Sequence, residues 1–165
     1  MNMMHLWTIK DWIKVLDYDC VKYRKGLRLR FDNNVDQSVH DICITFAKWL
    51  RTQYCFPIRI PVYIKAATCV KTQRGEESTG IFFAPDKYDV EPYIRIAAGD
   101  YCDMVSKWGE DEAVTQILGT IAHELTHYFQ WINGLNLTPL GEERQATRYA
   151  RLIVEEYFCF INKIV

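Results

Sequence analysis

Within residues 113–132 the apolar side chains Val114, Ile117, Leu118, Ile121, Leu125 and Ile132 recur at helical spacing. That pattern puts them on one face of a helix. The same stretch contains His123-Glu124-Leu125-Thr126-His127. Residues four apart on a helix stand one above the other, so both imidazoles reach toward one point, with Glu124 beside them. Leu125 and Thr126 turn away, and Leu125 extends the apolar stripe. The segment must therefore lie with one face in a core and the other open to a site.

Two imidazoles at this spacing can fill two positions of a tetrahedral metal, and an open catalytic site needs a third protein ligand. Candidates lie downstream. The chain turns through residues 133–140, with Gly134 where a helix C-cap would be. A second helix begins near Thr138-Pro139 and runs to about Asn162, proline being favoured in a first turn. Along it Glu143, Ala146, Ala150, Ile153, Tyr157 and Phe160 make one seam. Ala146 and Ala150 are small enough to let another backbone approach closely. A carboxylate heading an apolar seam wants a cation, so Glu143 is the expected third ligand. Glu142, roughly 100° around an ideal helix, is the reserve. His5 and His40 have no comparable neighbours.

The rest of the chain supplies a frame. Residues 5–16 carry Ile9, Trp12, Ile13 and Leu16 at helical spacing and predict a short amphipathic helix. Leu27 to Phe31 alternates apolar with basic, the pattern of a strand with one wet face, and adjoins Lys22, Arg24 and Lys25. Residues 35–54 hold Val39, Ile42, Cys43, Phe46, Leu50 and Tyr54 on a stripe, after the cap-forming Asp32, Asn33 and Asn34. Residues 58–70, 79–84 and 93–98 read as strands separated by turn segments. The expected architecture is α+β, with N-terminal helices, a small, mostly antiparallel sheet and a closing helical pair. It forms one domain over residues 1–165, in which 1–30 can be a peripheral extension.

Composition narrows the function classes. A chain of 165 residues with 49% hydrophobic content builds a core without disulfides or a structural metal, so a metal site in it is expected to be functional. The net charge of −1 argues against a dedicated nucleic-acid binder. Charge is nonetheless uneven: residues 75–165 carry 15 Asp and Glu against 7 Lys and Arg. The six cysteines form no CxxC pair and read as buried reduced thiols. Neither a secretory signal nor a spanning apolar run is present. A cytoplasmic protein with no membrane partner is expected.

His-Glu-Leu-Thr-His followed about sixteen positions later by a Glu-x-x-Ala helix, with strands upstream, resembles the small gluzincin zinc metallopeptidases, including those of the ImmA/IrrE type. The resemblance covers roughly residues 40–160 and implies a zincin-like fold. In that family the two motif histidines and the downstream glutamate bind one zinc, while the motif glutamate is the general base. Carried over, these are His123, His127, Glu143 and Glu124. The resemblance further implies that the strand before the active helix is an edge that holds a peptide or protein substrate, here Tyr93, Ile94, Arg95, Ile96, Ala97 and Ala98. Position 147 is Thr where related peptidases often have an acid or amide, which leaves the support of the histidines unassigned. No helix-turn-helix segment is evident. A donor for the oxyanion is expected, with Tyr128, Tyr149 and Arg148 near in sequence. The rival expectation is a catalytically silent module that keeps the scaffold and its metal.

Overall fold

The computed structural model describes residues 5–15 and 26–164. Leu16 of the expected N-terminal helix, Cys20, and Lys22, Arg24 and Lys25 of the basic stretch lie outside the described residues. Within them a 3-10 turn, Leu6–Thr8, and a short helix α1, Trp12–Val15, precede strand β1, Leu27–Phe31, and helix α2, Gln37–Gln53. Strands β2, Ile60–Lys65, β3, Val70–Lys71, β4, Glu77–Ser78, β5, Gly80–Phe83, and β6, Tyr93–Ala97, follow. Helices α3, Tyr101–Trp108, α4, Glu110–Ile132, and α5, Pro139–Ile164, close the chain. The result is an α+β fold with a small mixed sheet.

Four strands make one sheet in the order β1-β2-β6-β5, and β3 and β4 form a separate antiparallel hairpin. β1 and β6 both run parallel to β2, while β5 alone is antiparallel. The expected mostly antiparallel sheet is thus corrected. Parallel neighbours need a crossover, which α2 provides between β1 and β2. In β2, Ile60, Pro61, Val62 and Ile64 are all buried, the near-continuous apolar run of a parallel inner strand. Helices α2 and α4 pack against the sheet, and α5 packs on α4.

The core lies between these layers. Leu27, Ile60, Val62, Ile64, Ile94 and Ile96 face Leu118, Leu125 and their neighbours with no measurable exposure among them. Each such side chain contributes on the order of 1.5–3 kcal/mol by leaving water. The α2 stripe behaves as read, with Val39, Cys43, Phe46 and Leu50 buried. The α5 seam is buried at Ala146, Ala150, Ile153 and Tyr157, but Phe160 stays 43% exposed.

The N-terminal segment departs from expectation twice. Instead of one helix over residues 5–16, the 3-10 turn and α1 are separate. Instead of lying peripherally, Leu6 and Trp7 are buried in the main core. The Trp7 indole N–H donates to Thr126 Oγ1 at 3.1 Å, and the Leu6 N–H donates to the Tyr149 hydroxyl at 3.0 Å. Residues 5–9 therefore strap the back of the α4–α5 pair, opposite the histidine face.

Candidate metal centre

Helix α4 opens with Glu110, Asp111 and Glu112, acids that suit the positive end of its dipole. Its apolar stripe is held in the core, and this turns His123 and His127 outward at the mouth of a cleft. The two rings lie 4.9 Å apart between centroids. Across from them, near the start of α5, Glu143 sets one carboxylate oxygen 3.2 Å from His123 Nε2 and the other 3.1 Å from His127 Nε2. Their ligand atoms all lie within 4.8 Å of one another, so His123, His127 and Glu143 could hold a metal ion. Burial, followed by the neighbouring His127, lowers the proton affinity of His123, which favours the neutral imidazole that a metal needs. Glu142, the reserve, is not in this group. Its backbone carbonyl instead accepts from the Gln130 amide at 3.0 Å.

Gln130 supplies the support that Thr147 left unassigned. It is buried one turn beyond His127, and its side-chain oxygen lies 2.7 Å from His127 Nδ1. Its amide nitrogen donates to the Glu142 carbonyl and, at 2.9 Å, to Gln145 Oε1. The histidine on α4 and the backbone beside Glu143 are thereby tied through one side chain. The spacing of three from His127 was the available signal for it.

Glu124 lies inside the cleft wall at 7% exposure. Burial, with a smaller push from the Glu143 charge, raises its carboxyl pKa to about 8. Strand β5 covers it closely. A Cβ built at Gly80 would stand 2.7 Å from Thr120 Cγ2 and 3.0 Å from Glu124 Oε1, so only glycine lets strand and helix approach this far. A lone glycine opening a strand was the sequence signal for that contact.

The cleft measures about 970 Å³ and is walled by β5, the β3–β4 hairpin and the turn after α4. Phe82, Tyr88 and Trp131 line one end, with Tyr88 and Trp131 4.8 Å apart. The Trp131 indole N–H donates to the Pro85 carbonyl and the Tyr88 hydroxyl donates to the Trp131 carbonyl.

The expected edge strand is corrected here. Tyr93, Ile94, Arg95, Ile96 and Ala97 lie on β6, which is paired with β2 on one side and β5 on the other. The Ala98 N–H is also spent, on the Lys65 carbonyl at 2.9 Å. β6 therefore has no open edge; the edge strand at the cleft is β5, with Tyr93 the one residue of the expected set that lines the cleft. The Ala97 N–H donates to Thr79 O at 2.8 Å, so the backbone groups of residues 79, 81 and 83 face β6. By alternation those of Gly80, Phe82 and Ala84 face outward, and the Gly80 carbonyl is already taken by the Ser78 hydroxyl at 2.8 Å.

Of the three donors weighed for an oxyanion, two point elsewhere. The Tyr128 hydroxyl is buried, donates to the Ile58 carbonyl at 2.6 Å and accepts from the Ile58 N–H at 3.1 Å. Tyr149 accepts from Leu6 on the far side of α5. Arg148 lies beside Glu143 along an outer groove.

No family model, curated protein or solved structure matches the chain. The reading of the site rests on its own geometry. No helix among the described residues is long and apolar enough to cross a membrane.

Proposed function

We propose that this chain is a zinc-dependent metallopeptidase of the gluzincin kind, with a zincin-like fold, that hydrolyses peptide bonds in an extended protein or peptide segment. The observation that carries the reading is Glu143 set between two imidazoles, 3.2 Å and 3.1 Å from their Nε2 atoms. Bond lengths of about 2.0–2.2 Å put the ligand atoms of a tetrahedral zinc roughly 3.3–3.6 Å apart; the two contacts, made by different carboxylate oxygens, are near that spacing, and the whole set lies within 4.8 Å. Two neutral nitrogens and one carboxylate oxygen also suit zinc chemically. Bound zinc supplies Lewis acidity toward a carbonyl and toward water.

The chain's own groups do the rest. A carboxylate whose proton affinity burial has raised toward neutrality is matched to general base and acid work. Glu124 takes the proton from the attacking water as its oxygen adds to the scissile carbonyl, then gives it to the leaving amine nitrogen as the C–N bond breaks. His123, His127 and Glu143 hold the metal, and Gln130 orients His127. Substrate adds as a further strand on β5, taking main-chain hydrogen bonds from the outward backbone of Phe82.

The test is Glu124→Gln in zinc-loaded protein against a quenched peptide library. Turnover should fall by about 10²-fold or more while the zinc content stays near one per chain. Equal behaviour of the two proteins would leave the silent binding module as the reading. A folded chain that takes up no zinc would sink both.

A further inference from the structure

Arg144, Arg148 and Arg151 follow Glu143 along α5 at one, five and eight positions, which gathers them on a stripe roughly 90° around from the carboxylate. With Glu143 and Thr147 they line an outer groove of about 370 Å³. Glu143 also lines the cleft, so the groove and the cleft meet at that residue. None of the three guanidinium groups makes a hydrogen bond or ion pair among the described residues. Glu143, the one acid on the groove among those residues, is turned to the histidines.

Such a stripe does little for the fold. Like charges four apart on a helix are destabilising, and these three are among only seven Lys and Arg in residues 75–165. What suits a row of planar, fixed forks is a set of carboxylates, each able to accept two parallel hydrogen bonds.

Direction follows from topology. α4 and α5 form a hairpin: the connection 133–138 and the Gln130–Glu142 bond stand at one end, and Glu143 meets His123 and His127 further from the turn. From Glu143 onward α5 leads away from the turn, and Gly80 opens β5 against Thr120 and Glu124, the part of the cleft wall that is also further from the turn. A peptide laid antiparallel on β5 enters by Phe83 and leaves by Gly80, so its C-terminal part exits at the arginine end.

We infer that Arg144, Arg148 and Arg151 form a subsite for Asp and Glu residues on the C-terminal side of the cleaved bond, and that the substrates are acidic protein segments. The inference rests on the peptidase reading for its chemistry, though the subsite can be tested without turnover.

Two fluorogenic peptides, identical except for three Glu or three Gln after the cleaved bond, should be compared in zinc-loaded protein. At about 50 mM salt the Glu peptide should show kcat/KM roughly 10-fold higher, as expected of a few exposed charge-assisted contacts. The ratio should fall to about 1 in the triple variant Arg144→Gln, Arg148→Gln, Arg151→Gln, and near it at about 500 mM salt, where screening is nearly complete. Zinc content of the variant verifies its fold. Equal rates in the wild type, or a preference that survives the substitutions, would overturn the subsite. If neither peptide is cut, the peptidase reading fails, and fluorescence anisotropy of the labelled peptides decides the subsite. Preferential Glu-peptide binding that is lost in the triple variant supports it. Equal binding, or tighter binding of a single-stranded oligonucleotide, overturns it.

Discussion

The Nδ1 of His127 lies 2.7 Å from the side-chain oxygen of Gln130, one helical turn further along α4. The amide cannot be reversed, because its nitrogen is spent on the Glu142 carbonyl, which can only accept. The oxygen therefore faces the ring, the proton sits on Nδ1, and Nε2 offers its lone pair toward Glu143. Gln130→Leu removes this choice of tautomer and should weaken zinc binding by about 10–100-fold. Gln130→Glu keeps an acceptor and should lose less. Competition against a chelating dye at neutral pH measures both, and an unchanged affinity in the leucine variant would refute the assignment.

Gly80→Ala introduces a methyl group into a space already filled by Thr120 Cγ2 and Glu124 Oε1. Thr120 is held by its hydroxyl, which donates to the Gln116 carbonyl at 2.9 Å, so β5 must lift, Glu124 must move or that bond must break. A stability loss of about 1–3 kcal/mol is expected from the overpacking, with peptide turnover reduced more than zinc content. Thermal unfolding, metal analysis and kinetics on one preparation distinguish this from general misfolding.

His5 and Glu124 push the pH dependence of stability in opposite directions. The His5 Nδ1 accepts from the Trp7 N–H at 3.2 Å, and the buried Nε2 has no hydrogen-bond partner among the described residues. Burial depresses the imidazole pKa below 6.5, opposed only in part by Glu156. The unfolded chain then binds this proton more readily than the folded one. Its contribution is complete above the unfolded value and is lost as pH falls from 6.5 through the lower folded value. Glu124, raised to about 8, contributes the opposite slope over the same range, so the test is a difference between two proteins. His5→Asn, which keeps an acceptor for Trp7, should gain in unfolding midpoint relative to the wild type as pH is taken from about 7 to 5. A midpoint difference between the two proteins that stays constant across this range would refute the His5 assignment.

Cys43 is buried on α2, which pushes its thiol up to about 12. Cys55, Cys102 and Cys159 are exposed, which corrects the expectation that the thiols are buried. Since the thiolate is the reactive form, alkylation of native protein near neutral pH should label Cys55 and Cys159 and spare Cys43 until denaturant is added. Peptide mapping by mass spectrometry reads this directly.

The residues that met expectation share a local cause. The α2 and α4 stripes are set by spacing within one element, and Glu143 could be singled out because the Ala146, Ala150 and Ile153 seam fixes the rotation of α5. What was not legible depends on partners remote in sequence. Whether Ile94 pairs with Val62 alone or also with Phe82 cannot be read from a five-residue apolar run, so the edge was assigned to β6 instead of β5. Phe160 continues the seam, but α5 there packs only loosely, with the ring 6.2 Å from that of Trp49. Helix α3 went unread because it buries just Tyr101 and Met104, too few for a period to emerge.

The three candidate ligands all sit on one helical hairpin whose connection spans residues 133–138. An ion held there closes a short loop, and the chain entropy removed by a cross-link grows only with the logarithm of loop length. The sheet, by contrast, depends on distant pairings such as Leu27 with Ile60 and Ile64 with Ile96. Metal uptake should then tighten the α4–α5 hairpin, with little effect on the slow, non-local steps that decide whether the whole chain folds.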